Sequence, residues 1–285
     1  MASPSENRID VLKTYKLFIG GAFPRSESGR VYSIKDVRGN HLANPALASR
    51  KDLRDAVVAA RGAFAGWSGA TAYNRGQILY RMAEILEGRS EELVREIVAL
   101  EGVTGQVAAA QVRESVDLLV WYAGWSDKIS TLAGSTNSVS GPYYNFSTPE
   151  PMGVVAVFAS ASPSLLNFVG AIGAVITSGN VVVVVASEKF PLPAITFSEV
   201  MSTSDLPAGV VNVLTGSSAE LAPWAASHMD IDAVDVSGLT PKQLKETQIA
   251  GVPNLKRIRA FTNPKSPERI LGFMETKTVW HPIGI

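Results

Sequence analysis

Side chains able to act as a nucleophile, a general base or a metal ligand are few in this chain, and they are scattered. Cysteine is absent, which removes thiol nucleophiles, thiolate metal sites and disulfides together. The three histidines, His41, His228 and His281, stand far apart and show no metal-ligand spacing. Ser162 and Ser164 flank Pro163, but no histidine or acid stands at a recognisable place beside them, so turn serines are expected rather than nucleophiles. Glu188 follows Ser187 after a run of valines; it could hold a ribose hydroxyl or be a solvated residue beyond a strand. Gly238, after Ser237, could let a phosphate approach the backbone or only shape a strand-to-helix turn.

The elements that must position these groups follow from composition and patterning. The chain has 285 residues, of which 46% are apolar, enough for a substantial core and too many for global disorder. Lys+Arg and Asp+Glu are both 26, a net charge of zero, so the basic excess of a nucleic-acid binder or of a segment drawn to anionic membranes is missing. The absence of cysteine accords with a cytoplasmic setting, and the first residues, MASPSENRIDVLKTYK, have no apolar core of the signal-peptide kind. Phe168 to Ala186 is uncharged over a length near that of a membrane span. Thr177-Ser178-Gly179-Asn180 interrupts it with turn chemistry and five valines follow, which predicts a buried helix, a turn and a buried strand.

Tyr15 to Ile19 with Gly20-Gly21 reads as a strand and hairpin turn. Ser49 and Asp52 form a capping box before a helix carrying Leu53, Val57, Ala60, Phe64 and Trp67 on one face. A second helix runs over Ile78 to Leu86 and ends near Gly88; a third is capped by Ser90; a fourth runs from Thr104 as far as Ile129. The helical pattern stops over Ser138 to Pro149. Strands and helices then alternate: strands at 154–158, 181–185, 210–214, 231–236 and 256–261, helices at 165–176, 193–202, 219–227 and 240–248. That rhythm predicts an α/β fold with a doubly wound parallel sheet covered on both faces. One further extended run is Thr276 to His281.

Five segments in register, YKLFIGG (15–21), ILYRMAEILE (78–87), WYAGWSDKI (121–129), EPMGVV (150–155) and DLPAGVVNVLTG (205–216), resemble the aldehyde dehydrogenase superfamily, in its nucleotide-binding half, over about Tyr15 to Pro264. FMETKTVWHPIG (273–284) resembles the strand with which its members close. The family's catalytic domain would lie between, where only about ten residues stand, so the resemblance implies an internal deletion. It implies a Rossmann-like, nucleotide-binding domain over 14–137 and 150–264, an oligomerisation flap over 138–149 and 270–285, and a flexible 1–13.

Residue by residue, the resemblance leaves the chemistry vacant. The nucleophilic cysteine is missing; Ser162 stands where the family has an asparagine that donates to the oxyanion; Phe261 stands where it has the general-base glutamate. No catalytic residue and no metal ligand is carried over. The ribose-binding lysine is Val185, a phosphate-facing serine is Leu239, and a second glycine is Gln243. Only Ser187, Glu188, Gly216, Ser237 and Gly238 remain as cofactor-binding positions, so NAD(P) is expected weakly or not at all. The expectation is a catalytically inactive homologue that forms a homo-oligomer, or a hetero-oligomer with a complete aldehyde dehydrogenase, with no nucleic-acid or membrane partner. The alternatives are an NAD(P)-dependent aldehyde oxidoreductase and a nucleotide-sensing module. Lys256, Arg257 and Arg259 are read as a polar replacement on the face the missing domain would cover.

Overall fold

Valine-rich runs without a polar alternation can be strands only if both faces of their sheet are covered, and the fold is arranged to do that. A computed structural model of the chain describes residues 12–284; residues 1–11 of the expected N-terminal segment, and Ile285, lie outside the described residues. The chain starts with a turn in which Gly20 and Gly21 both have positive φ, closed by hydrogen bonds between Ile19 and Ala22, the hairpin the two glycines predict. The residues before it form isolated bridges rather than a continuous strand, Phe18 pairing with Val213. A small hairpin follows, β1 (Ile34–Lys35) and β2 (His41–Ala43).

The helices come next: α1 (Arg50–Gly69), α2 (Ala72–Gly88), α3 (Ser90–Glu101), α4 (Gly105–Trp125) and the short α5 (Ile129–Ala133). The capping box at Ser49 and Asp52 is present on both sides. Two boundaries differ from the sequence reading. Ser90 is the first helical residue of α3, and its N-cap, Arg89, makes no side-chain cap bond; Arg89 instead pairs with Glu92 and Glu199. The fourth helix stops at Trp125, and Ile129 opens a separate turn of helix.

Three strands at the end of this run and at the tail form one antiparallel sheet, in the order tail, centre, first: β3 (Ser135–Asn137), β4 (Tyr143–Pro151) and, after the main sheet, a closing strand over Met274–Pro282. The main sheet is built by β5 (Val154–Phe158), α6 (Ser164–Thr177), β6 (Val181–Val185), α7 (Leu192–Ser202), β7 (Val211–Leu214), α8 (Ser218–Ser227), β8 (Ala233–Asp235), α9 (Pro241–Gly251) and β9 (Arg257–Arg259). Its five strands are all parallel in the order β7-β6-β5-β8-β9. β8 and β9 are shorter than the apolar runs that announced them. Then come α10 (Pro267–Leu271), a helix absent from the sequence reading, and β10 (Met274–Pro282).

Helix α6 is the hub. Twelve of its fourteen residues are buried, because one side packs on β5 and β6 and the other on α2 and α4. The buried Trp67 of α1 donates its indole N–H to the Ile176 carbonyl at the end of α6, 3.0 Å away. The uncharged stretch is therefore helix, turn and strand as expected, and no helix among the described residues is long and apolar enough to cross a membrane.

Where α6 crosses α4, Gly173 faces the buried ring of Tyr122; a Cβ there would stand 2.7 Å from Cε2 and 3.1 Å from Cγ. Gly173→Ala is therefore expected to destabilise by roughly 1–3 kcal/mol, an overpacking cost. Gly62→Ala in α1, where a Cβ meets open space, should be neutral or stabilise by up to about 1 kcal/mol. Urea unfolding of both variants reads the contrast; equal stabilities would contradict the packing.

Candidate functional site

The strand order makes a crevice. The chain runs from β5 outward to β6 and β7, then returns past β5 to lay down β8 and β9. The switch lies between β5 and β8, and ligands of such sheets bind outside the carboxyl ends at that point. A cleft of about 360 Å³ opens there, lined by Ser160, Ser162, Asn167, Ser237, Phe261 and Arg269 among others.

Ser237 stitches the three strand ends together. Its backbone N–H donates to Asp235 Oδ1 at 2.9 Å, its hydroxyl donates to the same oxygen, and its Oγ accepts from the Phe261 N–H at 2.8 Å. Its carbonyl accepts from the Ser160 hydroxyl at 3.1 Å. Beneath it, Asp235 is fully buried and its Oδ2 accepts from Arg269 Nη2 at 2.7 Å. Arg269 is 5% exposed and lies 5.6 Å from the centroid of the Phe261 ring. Phe261, the residue at the general-base position of the resemblance, also packs edge-on against the fully buried Phe273.

Ser162 and Ser164 are not without an acid. Glu101, at the end of α3, accepts from Ser162 Oγ at 2.7 Å, from Ser164 Oγ at 2.6 Å and from the Ser164 N–H at 3.1 Å. Gln111 of α4 donates to Glu101 and accepts from the Leu165 N–H. This corrects the expectation that no acid lies near these serines. Glu101 stands 61 residues from Ser162 in the chain, so local spacing could not reveal it. With four donors on it, the carboxylate serves as a cap for the N-terminus of α6.

The expected cofactor positions stand after three parallel strands: Ser187 and Glu188 after β6, Gly216 after β7, Ser237 and Gly238 after β8. Glu188 is exposed; its charge, after burial itself, helps push the Tyr32 hydroxyl above its ordinary range. The Ser187 hydroxyl accepts from the Phe190 N–H at 3.2 Å, closing the loop. Gly216 has φ +141° and its Cβ would stand 3.1 Å from the Ala48 nitrogen, so the residue answers to a close backbone approach. Gly238 donates its N–H to the Phe158 carbonyl at 2.9 Å, and a Cβ there would lie 2.6 Å from that oxygen.

The N-terminus of α9, which follows Gly238, is closed by its own residues. Pro241 brings no N–H. Gln243 N–H goes to the Thr240 hydroxyl, and the Gln243 side chain accepts from the Thr240 N–H at 2.9 Å. An anion site at a helix N-terminus needs those N–H groups free. Lys256 and Arg257 are likewise committed rather than solvated. Lys256 reaches the carbonyls of His228 and Ile231, and burial holds its ammonium below the usual lysine range. Arg257 donates to the Met274 carbonyl and pairs with Glu275; only Arg259 fits the expected solvated face.

Sequence reasoning missed Glu101, Gln111, Asp235 and Arg269. For Asp235 a signal was present, a carboxylate inside the apolar run IDAVDV; Arg269 offered none. No group of three or more metal-ligating side chains exists among the described residues. Arg269→Ala would leave Asp235 buried with only Ser237 as donor, and should cost about 3–5 kcal/mol in chemical unfolding. The double change Asp235→Asn with Arg269→Gln should recover most of that loss.

A parallel sheet in this order, with helices over both faces and a separate three-stranded sheet carrying the tail, has clear counterparts. The family described as "Aldehyde dehydrogenase family" matches residues 23–275. An aldehyde dehydrogenase of Aspergillus niger is 33% identical over 274 residues, covering 94% of this chain and 54% of that protein. Retinal dehydrogenase 2 of Mus musculus is 32% identical, covering 95% and 52%. The NAD+ complex of an aldehyde dehydrogenase from Bacillus cereus superposes with a TM-score of 0.81 at 27% identity, covering 87% of this chain and 50% of that one. The chain thus spans about half the length of these relatives, and with a family match running through nearly all of its main sheet, it belongs to the aldehyde dehydrogenase family.

Proposed function

We propose that this chain is a catalytically inactive aldehyde dehydrogenase homologue that acts as a structural or regulatory subunit, assembled with itself or with a complete aldehyde dehydrogenase. The observation that carries the reading is that the residues of the family's chemistry are either missing or replaced by residues unable to perform it. Cysteine is absent; Phe261 packs on Phe273 and Arg269; the Ser162 hydroxyl is spent on Glu101. A serine whose only neighbouring carboxylate already accepts from three other donors is a poor replacement for a thiolate. Cofactor binding is proposed to be weak or absent. Val185 cannot donate to a ribose, Leu239 brings no hydroxyl, and the first turn of α9 is self-capped.

Support for assembly comes from the tail sheet. β10 pairs with β4 over nine residues, from Met274 with Pro151 to Pro282 with Tyr143. This is the first of the two arrangements open to a tail strand, pairing within the chain or with a second chain. Among the described residues its outer edge carries no strand, so a row of backbone donors and acceptors is left for a partner. Trp280 is 58% exposed and stacks edge-on with the half-exposed Tyr143, an apolar surface beside that edge. A cytoplasmic setting accords with the missing cysteines.

The purified chain is expected to show no aldehyde-dependent NAD(P) reduction, and NAD(P) affinity in calorimetry about ten- to a hundredfold below that of a complete enzyme, the cost of one lost charge-assisted hydrogen bond. Turnover that persists on repurification would refute inactivity. Assembly is tested by removing Thr276 to Ile285. Phe273 is kept because it is fully buried and its carbonyl accepts from the Asn180 side chain at 2.8 Å. Light scattering should show the intact chain as an oligomer and the truncated one reduced to monomer. A monomeric intact chain, or an assembly the truncation leaves unchanged, would overturn the subunit reading.

A further inference from the structure

We propose that the cleft at the switch point of the main sheet binds a small carboxylate, with the Arg269 guanidinium as its anchoring donor and Thr262 and Asn167 beside it. This is separate from the assembly reading and stands or falls on ligand binding alone.

The polar inventory of the cleft is one-sided. Its carboxylates are committed: Asp235 accepts from Ser237 and Arg269, and Glu101 from Ser162, Ser164 and Gln111. Its serine hydroxyls are committed as well, Ser160 to the Ser237 carbonyl and Ser162 to Glu101. Donors are left over. Arg269 uses only Nη2; Nη1 makes no protein hydrogen bond among the described residues and is the donor left to the cleft, while Nε is unpartnered but buried out of its reach. A guanidinium has five N–H donors, and one that is 5% exposed with most of them unmet asks for an acceptor. Asn167 and Thr262 face the same space and make no side-chain hydrogen bond among the described residues.

Volume, walls and charge narrow the ligand. The space of about 360 Å³ is far more than one water needs, roughly 30 Å³, and lies at the small end of ligand pockets. Phe261, Pro163 and Pro264 give it apolar walls that suit a short hydrocarbon tail. Among the residues lining it Arg269 is the one cation, and it already faces Asp235, so every further negative charge rests on that guanidinium and a dianionic phosphate is disfavoured against a monoanion. A singly charged carboxylate places its oxygens on the remaining donors, the charge-assisted geometry guanidinium favours.

The test uses the full chain. Acetate, butyrate and benzoate are titrated by two-dimensional amide NMR at constant ionic strength, with butyramide as the neutral isostere and inorganic phosphate as the charge control. The expected result is saturable millimolar binding of a carboxylate, with shifts confined to residues 160–167, 237 and 261–269, and affinity at least tenfold weaker for the amide and for phosphate. Arg269 also holds the fold, so the cleft is probed by Thr262→Val with Asn167→Ala. That variant should keep its melting temperature and bind about tenfold more weakly. Failure to saturate, equal binding of butyramide, tighter binding of phosphate, or unchanged affinity in the variant would each overturn the proposal.

Discussion

A strand of five valines and a helix without a polar face cannot meet water, and most of the architecture follows from that. β6 is buried along its whole length and α6 on nearly all sides. Each needs cover, and the sheet alone covers only one side of α6. The N-terminal helices supply the rest: α2 and α4 lie on the outer side of α6, and α1 packs on β5, β6 and β7. Gly170 and Gly173 let α4 come close, a Cβ at Gly170 falling 3.3 Å from Leu118. The helical first half is thus the missing wall of the second half, which is why one apolar core runs from Leu17 to Phe273.

The carboxyl edge of the sheet is held together by hydrogen bonds between its own loops. The strand ends still converge at a switch point, but several backbone N–H groups and carboxylates around it are spent on the protein itself. Gly238 gives its N–H to Phe158, Thr240 and Gln243 cap α9, and Glu101 caps α6. A buried aspartate and arginine then bind the ends of β8 and α10 together. A buried ion pair of this kind costs much to desolvate. Here hydrogen bonds from Ser237 to the aspartate lower that cost.

The tail obeys a different constraint. β10 is mostly exposed, so burial of side chains cannot be its main support. Backbone pairing with β4 and the anchoring of Phe273 in the core hold it in place. Asn180, fully buried in the turn before β6, bridges the Gly153 N–H, the Ser178 hydroxyl and the Phe273 carbonyl. One side chain therefore links the start of the main sheet to the end of the chain.

The sequence by itself determined the α/β rhythm, the capping box of α1 and the burial of β5 to β8, because these depend on apolar period, turn residues and a cap that are local in the chain. The missing cysteine also needs no coordinates to read, and the family resemblance alone set Phe261 against the general-base position. Boundaries at β8 and β9 were less legible, because there the pairing partner, not the propensity, ends the element. Only the tertiary structure decided which groups meet. Glu101 reaches Ser162 across 61 residues and Arg269 reaches Asp235 across 34. Such contacts depend on how α3, α6, β8 and α10 pack. No spacing along the chain encodes a distance across the sheet.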